Sequence, residues 1–191
     1  MPLYRVAPIQ IVNAMRARLR RLLDRIDHQR RTLLAEVDEL GLEQLAFRPG
    51  KGSWSALEVV EHLVKVEEAI VSRIKPREPR TWREAVLGRL SLELISVSFL
   101  LGRRFKAPVP TILPQGGATL TDLGARWEAA RQAMRRIVDG FGPPDFGRPM
   151  MRHAVLGLLT PAETLTFILR HIAHHRRQIA RIRRSPGYPR S

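Results

Sequence analysis

Three of the six histidines fall within five residues, in Arg170-His171-Ile172-Ala173-His174-His175-Arg176-Arg177-Gln178. Imidazole titrates near neutral pH and is the commonest metal ligand among side chains. The chain has no cysteine, so a thiolate site, a cysteine nucleophile and a disulfide framework are all excluded. A metal site here has to use histidine and carboxylate. On a helix that turns about 100° per residue, with Ile168 set at zero, Leu165, Ile172, Ile179 and Ile182 lie within about 60° of it. His175 then falls at about −20° and His171 at about −60°, both on the apolar face, while His174 falls near −120°, toward the polar face. Histidines four apart on one inward face are close enough to grip one ion, since Cβ atoms at that spacing lie about 5–6 Å apart. Two partly buried, hydrogen-bonded imidazoles are the alternative, but both rings would then need polar partners.

A third inward histidine comes from an earlier stretch. Ser55-Ala56-Leu57-Glu58 reads as a capping box that opens a helix running to the break before Pro76. Val59, Leu63, Val66 and Ile70 form its apolar stripe, and His62 sits at the edge of that stripe. Alone, a histidine in this place is more often a hydrogen-bonded core residue than a ligand. Together with His171 and His175 it makes a set of three neutral imidazoles, which leaves open positions on an ion for water or substrate.

The elements that position these residues read as helices. Residues 9–40 carry Ile11, Met15, Leu19, Leu22, Leu23, Ile26, Leu33, Leu34, Val37 and Leu40 at spacings of three and four, ended by Gly41. His28 lies among charged residues and reads as exposed. A loop over 41–54 precedes the His62 helix. Thr81-Trp82-Arg83-Glu84 is a second capping box, for a segment over about 82–104 whose apolar residues lie nearly all round it. Such a segment is buried on several sides or meets a partner chain. Residues 105–120 are too rich in proline and glycine for regular structure and read as a long extended connection. A helix over about 121–139 follows, then a loop over 140–160 with no strand-like alternation. Thr160-Pro161-Ala162-Glu163 opens the last helix, which continues to about Arg184. The fold class is all-α: a single domain over 1–191 with core helices at about 9–40, 56–75, 121–139 and 161–184 and an insertion at 76–120.

Composition narrows the function classes. Net charge is +15, from 33 basic and 18 acidic residues, and the only lysines are Lys51, Lys65, Lys75 and Lys106. This balance attracts anions. The arginines are spread along every helix, however, and no aromatic residues alternate with them as a stacking platform would require, so solvated helix faces are the simpler account and nucleic acid is disfavoured. Leu90 to Leu101 is interrupted by Glu93 and is too short to span a bilayer, and Met1 to Arg5 lacks the apolar core of a signal peptide. A cytoplasmic protein without a membrane partner is expected.

The chain resembles the DinB-like (YfiT-like) superfamily of metal-binding four-helix bundles. The resemblance rests on Trp54-Ser55-Ala56-Leu57-Glu58-Val59-Val60-Glu61-His62-Leu63 and on His171 to Gln178. Arg104-Phe105-Lys106-Ala107-Pro108 and His153 to Gly157 are similar to the subgroup with a long insertion between the second and third core helices. The resemblance implies His62, His171 and His175 as ligands of a divalent metal, nickel or zinc. It also implies chemistry with a low-molecular-weight thiol such as bacillithiol or mycothiol, activated as a thiolate on the metal. Arg177 stands where the family often has glycine, which weakens the subgroup assignment more than the metal site. The expectation is a metal-dependent thiol S-transferase or hydrolase acting on a small-molecule electrophile. Glu58, His153, His174 and Arg176 are candidates for supporting the ligands or touching substrate. The alternatives are a non-catalytic metal-binding stress-response module and a basic nucleic-acid-binding helical protein. The apolar third segment suggests a homodimer.

Overall fold

The computed structural model describes residues 9–75, 78–100 and 109–190. Pro76, the end of the third helical segment at Arg103-Arg104, the Arg104 to Pro108 motif and Met1 to Arg5 lie outside the described residues. Among the described residues the helices are α1 (Ile9–Asp38), α2 (Leu42–Ala46), α3 (Ala56–Arg73), α4 (Trp82–Leu100), α5 (Leu120–Asp139) and α6 (Pro161–Arg183). The long amphipathic segments read from sequence thus fold as expected, with the short α2 added inside the 41–54 loop.

Side-chain caps set the helix starts. The Ser55 hydroxyl accepts the Glu58 amide at 3.2 Å while the Glu58 carboxylate accepts the Ser55 amide at 2.8 Å. Thr81 with Glu84 and Thr160 with Glu163 repeat the pattern. Thr119 with Asp122 adds a fourth box that starts α5. Each such cap is worth about 1 kcal/mol by satisfying amides that the first helical turn leaves unpaired.

Four helices make the bundle. α1 packs on α5 and α6, and α3 packs on the same two, so the four close into a ring. Leu23, Ile26, Leu33, Leu63, Leu123, Trp127, Met134, Leu165, Ile168 and Ile172 are fully buried between them. The same core holds charge. The Arg131 Nε donates to Asp27 Oδ1 at 2.8 Å and its Nη1 to Glu67 Oε2 at 3.2 Å, while Trp127 Nε1 donates to Glu67 Oε1 at 2.8 Å. One guanidinium thereby ties α1, α3 and α5 together. Burial lifts the Glu67 carboxyl above its ordinary range, against the pull of Arg131 and the Trp127 N–H. Asp27 goes the other way: burial would raise it, but hydrogen bonds and charges from Arg131 and Arg135 outweigh that and lower it.

α4 lies outside the ring, against α6 and the segment after α5. Arg80, just before it, donates Nη1 to the Leu158 carbonyl at 2.9 Å and forms a two-pronged pair with Glu163 at 2.8 and 3.1 Å. A side chain at Gly88 would stand 3.2 Å from Arg80 Nη1 and 3.5 Å from the Leu158 oxygen, so glycine there permits the close approach. Leu92 faces inward, whereas Trp82, Leu87, Leu90, Leu94 and Val97 are exposed.

The 140–160 stretch departs from the loop expected. A 3₁₀ turn over Pro143–Phe146 precedes a short antiparallel hairpin, β1 (Met151–His153) and β2 (Gly157–Leu159), with Met151 opposite Leu159 and His153 opposite Gly157. Gly157 has φ of 74°, a left-handed backbone that favours glycine at the hairpin's closing corner. Strands of three residues are too short for alternation to show in sequence.

Candidate metal centre

His62 on α3 and His171 and His175 on α6 meet in the bundle interior, each less than a tenth exposed. Their Nε2 atoms converge. His62 Nε2 lies 3.4 Å from His171 Nε2, which lies 3.0 Å from His175 Nε2, and one ligand atom from each of the three sits within 4.8 Å of the others.

The opposite edges of two rings fix their tautomers. His62 Nδ1 lies 2.8 Å from the Ile112 carbonyl oxygen, which can only accept, so Nδ1 carries the proton and Nε2 a lone pair. His175 Nδ1 lies 2.8 Å from Gln178 Oε1, which assigns the same tautomer to that ring. Two lone pairs therefore point at the His171 nitrogen, which can give a proton to one of them at most. Burial lowers the pKa of all three rings, with the Ile112 bond opposing it at His62. At His171 and His175 the depression is strong, and the neighbouring imidazoles add to it by charge repulsion. The rings stay neutral as metal ligands must. Nitrogens held about 2.0–2.1 Å from one ion in tetrahedral directions lie about 3.3 Å apart, close to the spacing of these pairs, so the donor set fits a divalent ion that takes imidazole.

The backbone that faces His62 is itself fastened. The Glu61 carboxylate accepts the Gln115 and Gly116 amides, each at 2.9 Å, and Lys65 Nζ donates to the Leu113 carbonyl at 2.9 Å. Burial raises the Glu61 pKa, but those amides and Lys65 outweigh it, so the carboxylate is held in its charged form. Neither Glu61 nor Gln178 stood out in sequence as a site residue. Gln178 had one available signal, its place one helical turn after His175. Glu61 had none, because its partners are backbone amides more than fifty residues away.

Aromatic rings wall the site. The Trp54 ring lies 4.9 Å from His62 and stacks at 6.3 Å on His175, and Phe167 stacks at 5.3 Å on His171.

The remaining sequence candidates stand outside the ligand set. His153 packs edge-on against Phe167 at 4.7 Å, one ring removed from His171, and its Nδ1 accepts the Val155 and Leu156 amides at 3.1 Å. Burial lowers its pKa to about 4. Glu58 is engaged away from the histidines, capping Ser55 and pairing with Arg48 at 2.6 Å. Arg176 pairs with Glu36 on α1 at the surface. His174 corrects the helical wheel: it is buried, 7% exposed, with its ring edge-on to His175 at 5.0 Å. α6 touches α1, α3, α4 and the hairpin, so more of its circumference is covered than a single apolar stripe suggests. Arg177 is exposed, as its wheel position requires.

A four-helix bundle with three histidines converging from two helices is the class that this geometry defines. The family model of the DinB superfamily matches residues 25–179, well over half of the chain, and the chain belongs to that superfamily. Among solved structures it is similar to YfiT from Bacillus subtilis, described as "a probable metal-dependent hydrolase with an unusual four-helix bundle topology", at 13% identity and a TM-score of 0.49 over 99% of this chain and 94% of that one. No curated protein matches the chain.

Proposed function

We propose that His62, His171 and His175 hold one divalent metal ion, nickel or zinc, and that the protein is a metal-dependent enzyme acting on a small-molecule electrophile as a thiol S-transferase or hydrolase. The observation that carries the reading is the convergence of three neutral Nε2 atoms, two with tautomers set by Ile112 and Gln178. His171 can give a proton to one of the two facing lone pairs at most, so at least one buried acceptor there is left to a cation. A bound metal would supply Lewis acidity and lower the pKa of a coordinated thiol or water. The protein's own part is to keep the three imidazoles neutral and aimed. Trp54 and Phe167 pack against them, and among the described residues no carboxylate joins the three-histidine set, which leaves coordination positions for a cosubstrate.

The same reading takes residues 1–191 as a single domain and a low-molecular-weight thiol as cosubstrate. It includes a homodimer formed through the exposed apolar residues of α4, which sedimentation would reveal. Elemental analysis of purified wild type and of His62→Ala is the direct test. Wild type should carry about one divalent ion per chain and the variant far less. Absence of stoichiometric metal in reconstituted wild type removes the reading. A screen of bacillithiol, mycothiol and glutathione against electrophiles, run beside a hydrolysis assay, separates the two reactions. Turnover in neither leaves a metal-binding module without catalysis.

A further inference from the structure

On the far side of α6 from the histidines, a groove between α1 and α6 has a volume of about 570 Å³ and opens to solvent. Arg18, Arg21 and Arg25 of α1 line it. At spacings of three and four they fall within about 60° of one another on the helix, so their guanidinium groups share one face. Among the described residues none of the three pairs with a carboxylate, whereas Arg20 and Arg30 on the same helix pair with Asp139 and Glu128. Arg170 borders the groove from α6 and is held by Glu93 of α4 at 3.0 Å. Leu22, Leu169 and Ala173 supply an apolar flank.

Like charges gathered on one helical face repel, and among the described residues no carboxylate forms an ion pair with these three. A concave surface of one sign focuses its field and concentrates counter-ions. The guanidinium fork matches phosphate oxygens two at a time, and three forks outweigh the single charge of a carboxylate. The volume is that of a small-molecule site. From Arg18 to Arg25 the helix rises only about 10 Å, the reach of a diphosphate rather than a polymer track. Among the described residues no aromatic side chain lines the groove to stack a base, so it is the phosphate that the lining recognises.

We propose that this groove is a second ligand site, separate from the histidine cluster, that binds the phosphate groups of a small phosphate-bearing molecule through Arg18, Arg21 and Arg25. Calorimetric titration of the full chain with pyrophosphate and with ADP at fixed ionic strength tests it. Both should bind at one saturable site. Arg21→Ala and Arg25→Ala should each weaken binding at least tenfold. Arg152→Ala, an exposed arginine on the hairpin, should change it less than twofold, and His62→Ala should leave it intact. If Arg25→Ala does not fold, Arg25→Lys, which keeps the charge but loses the fork, should still weaken binding several-fold. No saturation, or an equal loss in Arg152→Ala, would reduce the groove to diffuse surface charge and overturn the proposal. Loss of binding in His62→Ala would move the anion to the metal centre and would likewise overturn it. Binding to phosphatidic acid vesicles without binding of pyrophosphate or ADP would show a membrane-facing surface instead, and would equally defeat it.

Discussion

Arg131 lies between Asp27 and Glu67, with its Nε 2.8 Å from Asp27 Oδ1 and its Nη1 3.2 Å from Glu67 Oε2, and all three side chains are almost wholly buried. Removing the guanidinium leaves Glu67 buried with only the Trp127 N–H, while Asp27 keeps Arg135 alone. Arg131→Met should therefore destabilise the fold by about 3–5 kcal/mol, far more than the lost hydrogen bonds alone would suggest. Chemical denaturation of the two proteins at pH 7 measures the difference. A loss under 1 kcal/mol would mean that water reaches the network.

Gln178 orients His175 from behind. Gln178→Leu keeps the volume but removes the acceptor for Nδ1–H, freeing the ring to present a proton where the other two nitrogens converge. Metal affinity, read by competition with a chromophoric chelator, should fall about 10–100-fold while helix content stays constant. An unchanged affinity would detach Gln178 from the site.

Glu61 acts one step further out, through the backbone that faces His62. Glu61→Ala should speed hydrogen exchange at the Gln115 and Gly116 amides and lower metal affinity about tenfold. Faster exchange with metal binding intact would make Glu61 a tether for the connection and nothing more.

Acid should weaken the fold partly through His153. Its pKa is lowered by burial to about 4, against 6.5 for a free side chain, so between those values the unfolded chain binds the extra proton. Stability from this residue is complete above about pH 6.5 and is lost as pH falls toward 4, a contribution of about 2–3 kcal/mol. His153→Asn can still accept the Val155 and Leu156 amides but cannot titrate. The slope of stability against pH between 4.5 and 6.5 should be shallower in the variant than in wild type. Parallel curves would refute this assignment.

The helices and the histidine cluster were readable for the same reason: each follows from the 3.6-residue repeat. Ser55, Thr81 and Thr160 announced helix starts through residues three positions away, and His62, His171 and His175 shared faces with leucines and isoleucines. What escaped depends on which elements become neighbours. The Arg131 network joins it to residues 104 and 64 positions away, and one-dimensional charge patterning cannot pair them. His174 was misplaced because a wheel knows one apolar stripe, whereas α6 is covered on several sides. The hairpin after α5 has strands too short to leave a period, and the Glu61 carboxylate bonds to main chain, which carries no residue-specific signal.

Within one turn of α3, Glu61, His62 and Lys65 all reach across to the main chain of residues 112–116. The connection into α5 is therefore held through its peptide groups as well as through the packing of Ile112 on the core. Apart from the positive-φ Gly116 and Gly117 and the core-packed Ile112, its side chains take no part in these bonds, while a single residue inserted after Ile112 would put the bonds to Leu113, Gln115 and Gly116 out of step with the one to Ile112. For this stretch the inherited quantity is a distance along the chain, and α3 is the ruler against which it is measured.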